Sequence, residues 1–161
     1  MGPDADGVVA VMIRFSEFCK KINTVLDHTI YTGINAPKEH QRIIGKLMTG
    51  LGNLFYCDAK IPYEPFLVTM IDEGQTSPTP DLLLFDHENQ KNVVIIEIST
   101  TIGANKDFEK VKEWMKDYEV KEGFVYNNTR KTWRKFKHGV GEITENPSYC
   151  EAISMDLGAM F

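Results

Sequence analysis

A chain of 161 residues, 42% hydrophobic and 25% charged, has the size and composition of one folded domain that buries a core without disulfides or a structural metal. Its net charge of −5 excludes a protein that coats nucleic acid by bulk electrostatics, so any contact with phosphate has to be local. Cys19, Cys57 and Cys150 are odd in number, far apart and without CxxC or paired Cys/His spacing, which speaks against a disulfide framework or zinc site and fits a reducing cytoplasm.

Met1 to Gly7 read as a loose tail on a single domain spanning residues 1–161. The apolar run Val8 to Ile13 is too short to span a bilayer and leads directly into Arg14, Glu17, Lys20 and Lys21, so neither a membrane span nor a secretory leader is expected. Val11, Phe15, Phe18, Ile22, Val25 and Leu26 recur at steps of three and four, which predicts an amphipathic helix over residues 8–27 that stops near His28. A second, stronger helix starts at Pro37, which suits a first turn, and carries Ile43, Ile44, Leu47, Met48, Leu51, Leu54 and Phe55 as one apolar stripe. Gly45, Gly50 and Gly52 weaken it intrinsically, so they are read as points of close packing against a sheet.

From Asp58 the pattern changes to strand, with Ala59 to Tyr63 and Phe66 to Ile71 interrupted by Pro62 and Pro65 and followed by a loop holding Gly74, Ser77, Pro78 and Pro80. Two wholly apolar runs, Leu82 to Phe85 and Val93 to Ile98, flank the polar stretch Asp86 to Asn92 and predict a central hairpin. A helix over Lys106 to Tyr118 follows, with Asn105 as N-cap and Phe108, Val111, Met115 and Tyr118 on one face. Gly123 to Tyr126 predicts a strand, Asn127-Asn128 a turn, and Thr132 to Lys137 a further strand before an irregular C-terminal stretch. Arg130, Lys131, Arg134, Lys135 and Lys137 surround Trp133 and Phe136 with no acid between them. They are candidates for contact with a nucleic-acid backbone, the alternative being a solvated hairpin.

The chemistry concentrates on the central hairpin. Glu97 interrupts Val93-Val94-Ile95-Ile96, and a carboxylate on a strand this apolar requires a metal, a cation or a raised pKa. Asp81 heads the partner strand, and a hairpin centred on Asn89 sets it opposite Glu97. Facing Cβ atoms about 4.5–5.5 Å apart can bracket a divalent cation, which would relieve the repulsion between the two acids. The alternative is that Asp81 caps a strand while Glu97 pairs with a lysine.

Pro80-Asp81, the polar hairpin and Glu97-Ile98-Ser99 resemble the signature of the PD-(D/E)XK nucleases, with Ser99 where that signature has lysine. The likeness is greatest to a restriction-endonuclease branch catalogued as a domain of unknown function. That branch carries Glu-x-x-Ser, one residue longer than here, and takes its lysine from the following helix. Asp107, Lys110, Trp114 and Phe124-Val125-Tyr126 are similar to that helix and the next strand, while Glu39 to Leu47 and Ser148 to Phe161 resemble its opening helix and closing segment.

The resemblance implies an α/β, restriction-endonuclease-like three-layer fold with an αβββαβ core. It further implies Asp81, Glu97 and the Ile98 carbonyl as ligands of Mg2+ or Mn2+, and Lys110 as the catalytic lysine. Lys106, one turn earlier, is the second candidate for the lysine, and Ser99, His40, Glu39 and Glu64 are secondary site candidates. The implied activity is hydrolysis of phosphodiester bonds in DNA, with a homodimer left open as an assembly. Two rivals stand beside it: a module on the same fold that binds nucleic acid or protein without cutting, and an unrelated sheet domain in which Asp81 and Glu97 face each other by accident.

Overall fold

The computed structural model describes residues 37–161, so the tail and the helix expected over 8–27 lie outside the described residues. Pro37 precedes helix α1, Lys38–Gly52, and its fixed φ of −56° suits a position with no helical N–H to satisfy. The apolar stripe buries Ile43, Ile44, Leu47, Met48 and Leu51, and the chain leaves the helix through a wide π-helical turn, Asn53–Cys57. At Gly50 the close neighbour is not the sheet. A Cβ there would lie 3.1 Å from the Met160 sulfur, so the space belongs to the C-terminal segment.

Five further strands follow β1, Glu64–Leu67, in one sheet: β2, Leu82–Asp86; β3, Lys91–Ser99; β4, Glu122–Asn127; β5, Thr132–Lys137; and β6, Gly141–Ile143. They lie side by side in chain order, antiparallel except where β3 and β4 run parallel. That parallel pair is joined by helix α2, Ala104–Asp117, as a parallel connection requires. A two-stranded ribbon of β7, Tyr149–Cys150, and β8, Met155–Asp156, and a 3-10 turn over Leu157–Met160 close the chain.

Alternation along the strands gives each face of the sheet its own core. Leu82, Leu84, Val94, Ile96, Ile98, Phe124 and Tyr126 meet α1 and the C-terminal segment on one face. Ile95 and Val125 meet Phe108, Val111 and Met115 of α2 on the other. The result is three layers, with β2, β3 and β4 at the centre. Approach of α2 to the sheet is tightest at Gly123, where a Cβ would fall 2.3 Å from the Met115 sulfur and 2.5 Å from Val111 Cγ1. Among the described residues no helix is long and apolar enough to cross a membrane.

Three expectations change. Ala59 to Tyr63 forms no strand, because Ala59 takes a φ of +50° and the chain bends at Pro62 and Tyr63, although Ile61 is still buried. The next strand ends at Leu67, since Val68 at φ +43° turns the chain out, and Ile71 is buried from a loop by bonding the Pro78 carbonyl instead. Helix α2 starts two residues early, with Gly103 as its N-cap, and Asn105 in its first turn receives a 3.1 Å bond from Arg134.

Candidate active site

Hairpin register decides which side chains meet. Leu82 faces Ile96, Leu83 faces Ile95 and Leu84 faces Val94, the register of a hairpin centred on Asn89; a bulge after Leu84 then sets Phe85 against Asn92. Continued one residue outward, the first three pairs bring Asp81 to Glu97. Asp81 Oδ2 accepts the Ile98 N–H at 2.8 Å, and the Asp81 N–H donates to Glu97 Oε1 at 3.3 Å. Each carboxylate is therefore held by the other strand's backbone.

Glu97 shares the α2 face of β3 with Ile95, two residues earlier, so the helix above supplies its counter-charge. Lys110 sends its ammonium to Glu97 Oε2 at 3.2 Å and to Asp107 Oδ1, also at 3.2 Å, while lying 4.8 Å from the Trp114 ring centre. Asp107 and Lys110 are three apart, neighbours on one helical face. The Ser99 hydroxyl donates to the other Asp107 oxygen at 2.6 Å, so Ser99 orients Asp107 and Asp107 orients Lys110. Gly103 passes close above this pair, and a Cβ there would lie 3.0 Å from Ser99 Oγ.

His40 reaches the same hairpin end from the opposite face, at the start of α1. Its Nε2 lies 3.1 Å from the Ile98 carbonyl oxygen and 3.3 Å from Asp81 Oδ2, while Nδ1 is buried with no hydrogen-bond partner among the described residues.

Burial, and then the nearby Asp81 charge, push the Glu97 carboxyl up to about 7, against the opposing pull of Lys110. Burial acts to lower the Lys110 pKa, but Glu97 and Asp107 together outweigh it, and the amine is held above its ordinary value as ammonium. The hydrogen bond to Asp81 raises the His40 imidazole above its usual value, with burial opposing.

Other sequence candidates stand apart. Glu39 is occupied by Arg42 at 2.6 Å and Lys131 at 3.1 Å. Glu64 lies on the outer strand, bonded to the Tyr56 hydroxyl and His87. Lys106 is exposed on the first turn of α2. The basic run divides between faces of the sheet: Arg134 packs over the Phe108 ring and pairs with Glu142, whereas Lys135, 1% exposed, is buried on Glu122 at 2.7 Å and Glu151 at 3.1 Å. Lys135 is thus a buried ion-pair partner rather than a surface cation, and Lys137 also turns to Glu151.

The sequence reading did not foresee the buried Glu122–Lys135 pair, or that Asp107 would bridge Ser99 and Lys110. The detectable signals were an acid opening a strand whose every position is buried, and the Asp107/Lys110 spacing.

Among the described residues, no group of three or more His, Cys, Asp or Glu side chains converges as a ready-made cation cage. The donors that do meet are two carboxylates and a backbone carbonyl, the hard oxygen set that suits Mg2+, which binds through few protein ligands and keeps several waters. Two opposed acids, one of them pushed toward the protonated form, gain directly from a cation between them, so the residues fit a weakly held divalent ion.

No family model matches the sequence, and no curated protein matches it. Among solved structures, a candidate nuclease belonging to DUF820 from Anabaena variabilis superposes over 78% of this chain and 82% of its own, with a TM-score of 0.59 and 13% identity. The type IIG restriction endonuclease BpuSI aligns with 72% of this chain and 15% of its own, with a TM-score of 0.45 and 17% identity. The fold is α/β and restriction-endonuclease-like, a mixed sheet between two helices.

Proposed function

We propose that this chain is a metal-dependent endonuclease that hydrolyses phosphodiester bonds in DNA, with Asp81, Glu97 and the Ile98 carbonyl as its metal ligands and Lys110 as its catalytic lysine. The observation that carries the reading is the 3.2 Å contact of the Lys110 ammonium with Glu97, on a strand that offers Ser99 where a lysine is expected. The restriction-endonuclease-like fold, shared with a candidate nuclease, supports the same class of activity.

Bound there, Mg2+ or Mn2+ would polarise the scissile phosphate and lower the pKa of a coordinated water. The residues themselves divide the remaining work. Asp81 is fixed by the Ile98 N–H and presents its carboxylate at the mouth of the hairpin. Burial and the Asp81 charge push the Glu97 carboxyl up to about 7, so a cation would be taken up in exchange for a proton there. Lys110 stays charged, which assigns it electrostatic work: its ammonium donates to the attacking water or to a phosphate oxygen and stabilises the negative charge carried by the phosphoryl oxygens. Ser99 and Asp107 act through Lys110 as positioning residues. The opposing reading, a module that binds without cutting, draws on Ser99 alone.

Calorimetric titration of the full chain with Mg2+ and Mn2+ tests the ligand set. Weak binding is expected, lost in Asp81→Ala and Glu97→Ala while circular dichroism shows the fold retained. Equal affinity in the parent and both variants removes these carboxylates from the site.

A further inference from the structure

The loop from β3 into α2, residues 100–103, stands at the same end of the sheet as Asp81 and Glu97. It holds Ile102 out into solvent, 98% exposed, while the residues on either side are held down. Gly103 lies against the Ser99–Asp107 pair so closely that a Cβ would fall 3.0 Å from Ser99 Oγ and 3.2 Å from Asp107 Oδ2. On the other side the Thr101 hydroxyl donates to Asn127 Oδ1 at 3.4 Å, and that oxygen also accepts the N–H groups of Thr129 and Arg130. The Ala104 N–H closes the loop on the Thr100 carbonyl at 2.9 Å, and the Asn128 N–H bonds the Ser99 carbonyl at 2.8 Å. Loop and β4–β5 turn therefore form one braced corner, which carries Ile102 on its loop and the exposed Arg130 on its turn.

Three features fit this corner to nucleic acid. Isoleucine is stiff at χ1, so a braced loop presents it in one shape, and apolar side chains of this kind are what proteins insert between base steps. Arg130 and, on the first turn of α2, Lys106 are exposed cations that flank it. Three residues at about 3.3 Å each separate Glu97 from Thr100, so the loop begins about 10 Å from the Glu97 backbone, the length of about three base steps. We propose that Ile102 is a wedge that enters the base stack of duplex DNA within about three steps of the scissile phosphate and kinks the duplex there, with Arg130 on a flanking phosphate. This rests on the proposed nuclease site and deepens it by naming the substrate as duplex DNA at a step that unstacks readily. Insertion costs stacking energy, least at a mismatched or pyrimidine–purine step, so deformability rather than base-edge contact selects where the duplex is held.

The test uses the full chain and a short duplex with 2-aminopurine at a TA step, beside a counterpart mismatched at that step. Ca2+ replaces Mg2+ so that the bound duplex is read intact. The parent is expected to raise the 2-aminopurine fluorescence on binding and to hold the mismatched duplex about tenfold more tightly than the matched one. Ile102→Leu, which keeps an apolar wedge, is expected to retain both effects. Ile102→Ala is expected to lose the fluorescence rise and to bind the two duplexes within about twofold of each other. Its thermal midpoint should match the parent's, because the side chain it shortens is exposed. A parent that binds without the rise, or an Ile102→Ala variant that keeps the rise and the mismatch preference, overturns the wedge and leaves the metal site standing. Dissociation of a dimer of the free chain in Ile102→Ala, with the fluorescence rise unchanged, also overturns it and assigns the side chain to a second copy. A parent that shows the rise but never cuts with Mg2+ supports the wedge and overturns the endonuclease reading. Failure of the parent to bind either duplex overturns both.

Discussion

Replacing Glu97 by glutamine in the chelator-treated protein should remove a pH dependence of stability that the parent carries. Folding raises the Glu97 pKa from 4.5 to about 7, so near neutrality the folded state binds a proton that the unfolded state has released. Stability from this group is therefore fully present below pH 4.5 and is lost as pH rises through about 7. At 1.36 kcal/mol per unit, the shift from 4.5 to about 7 is worth about 2–3 kcal/mol between pH 5 and pH 8. His40, whose pKa is also raised in the folded state, contributes with the same sign, and that part remains in the variant. Urea denaturation at half-unit pH steps in EDTA reads the difference: the parent's midpoint should fall steeply across this range while that of Glu97→Gln changes far less. Excess Mg2+ should flatten the parent's profile, because a cation stabilises the ionised carboxylate. Parallel profiles for the two proteins would refute the claim that Glu97 is buried beside Asp81 without full compensation.

Gly123→Ala should destabilise the chain by about 1–3 kcal/mol, because its Cβ would enter the space of Val111 and Met115; an unchanged thermal midpoint would show that α2 does not lie so close. Lys135→Met should destabilise by about 3–5 kcal/mol, since it strands the buried Glu122 carboxylate, and chemical denaturation of the variant checks this. Arg130→Glu should weaken DNA binding and flatten its salt dependence more than Lys137→Glu does, because Arg130 is exposed while Lys137 already faces Glu151. Equal losses in fluorescence titrations over a range of salt would count against that ordering.

Much of this arrangement was legible in the residues because the hairpin is strongly specified. Two apolar runs flanking one polar turn admit few registers, and slipping by one would carry every side chain to the opposite face, away from the partners it packs against. The bulge after Leu84 was not legible, yet it lies on the turn side of the pairs that bring Asp81 to Glu97 and leaves them intact. Strand expectations failed where chain reversals depend on positive φ at Ala59 and Val68, residues with no propensity for it, so tertiary packing overrides local preference there. The basic run misled for a related reason. Alternation along β5 sends Lys135 and Arg134 to opposite faces, and the acids that neutralise Lys135, Glu122 and Glu151, are distant in sequence. Asp107 and Lys110 were findable because helical spacing of three places them together on one face. The approach of His40 from the other face depends on how α1 lies across the sheet, which no local pattern encodes.

The central claim is that Lys110 supplies the positive charge missing at Ser99, and metal-dependent cleavage of a generic DNA substrate tests it most directly. With Mg2+ or Mn2+ the parent should cut. Lys110→Ala, folded by circular dichroism, should lose about 100-fold or more, the scale of removing one stabilising donor from a phosphoryl transition state. Lys106→Ala, which removes an exposed side chain, should stay within about threefold of the parent. Undiminished cleavage by Lys110→Ala, or no cleavage by the parent on any DNA, would contradict the account.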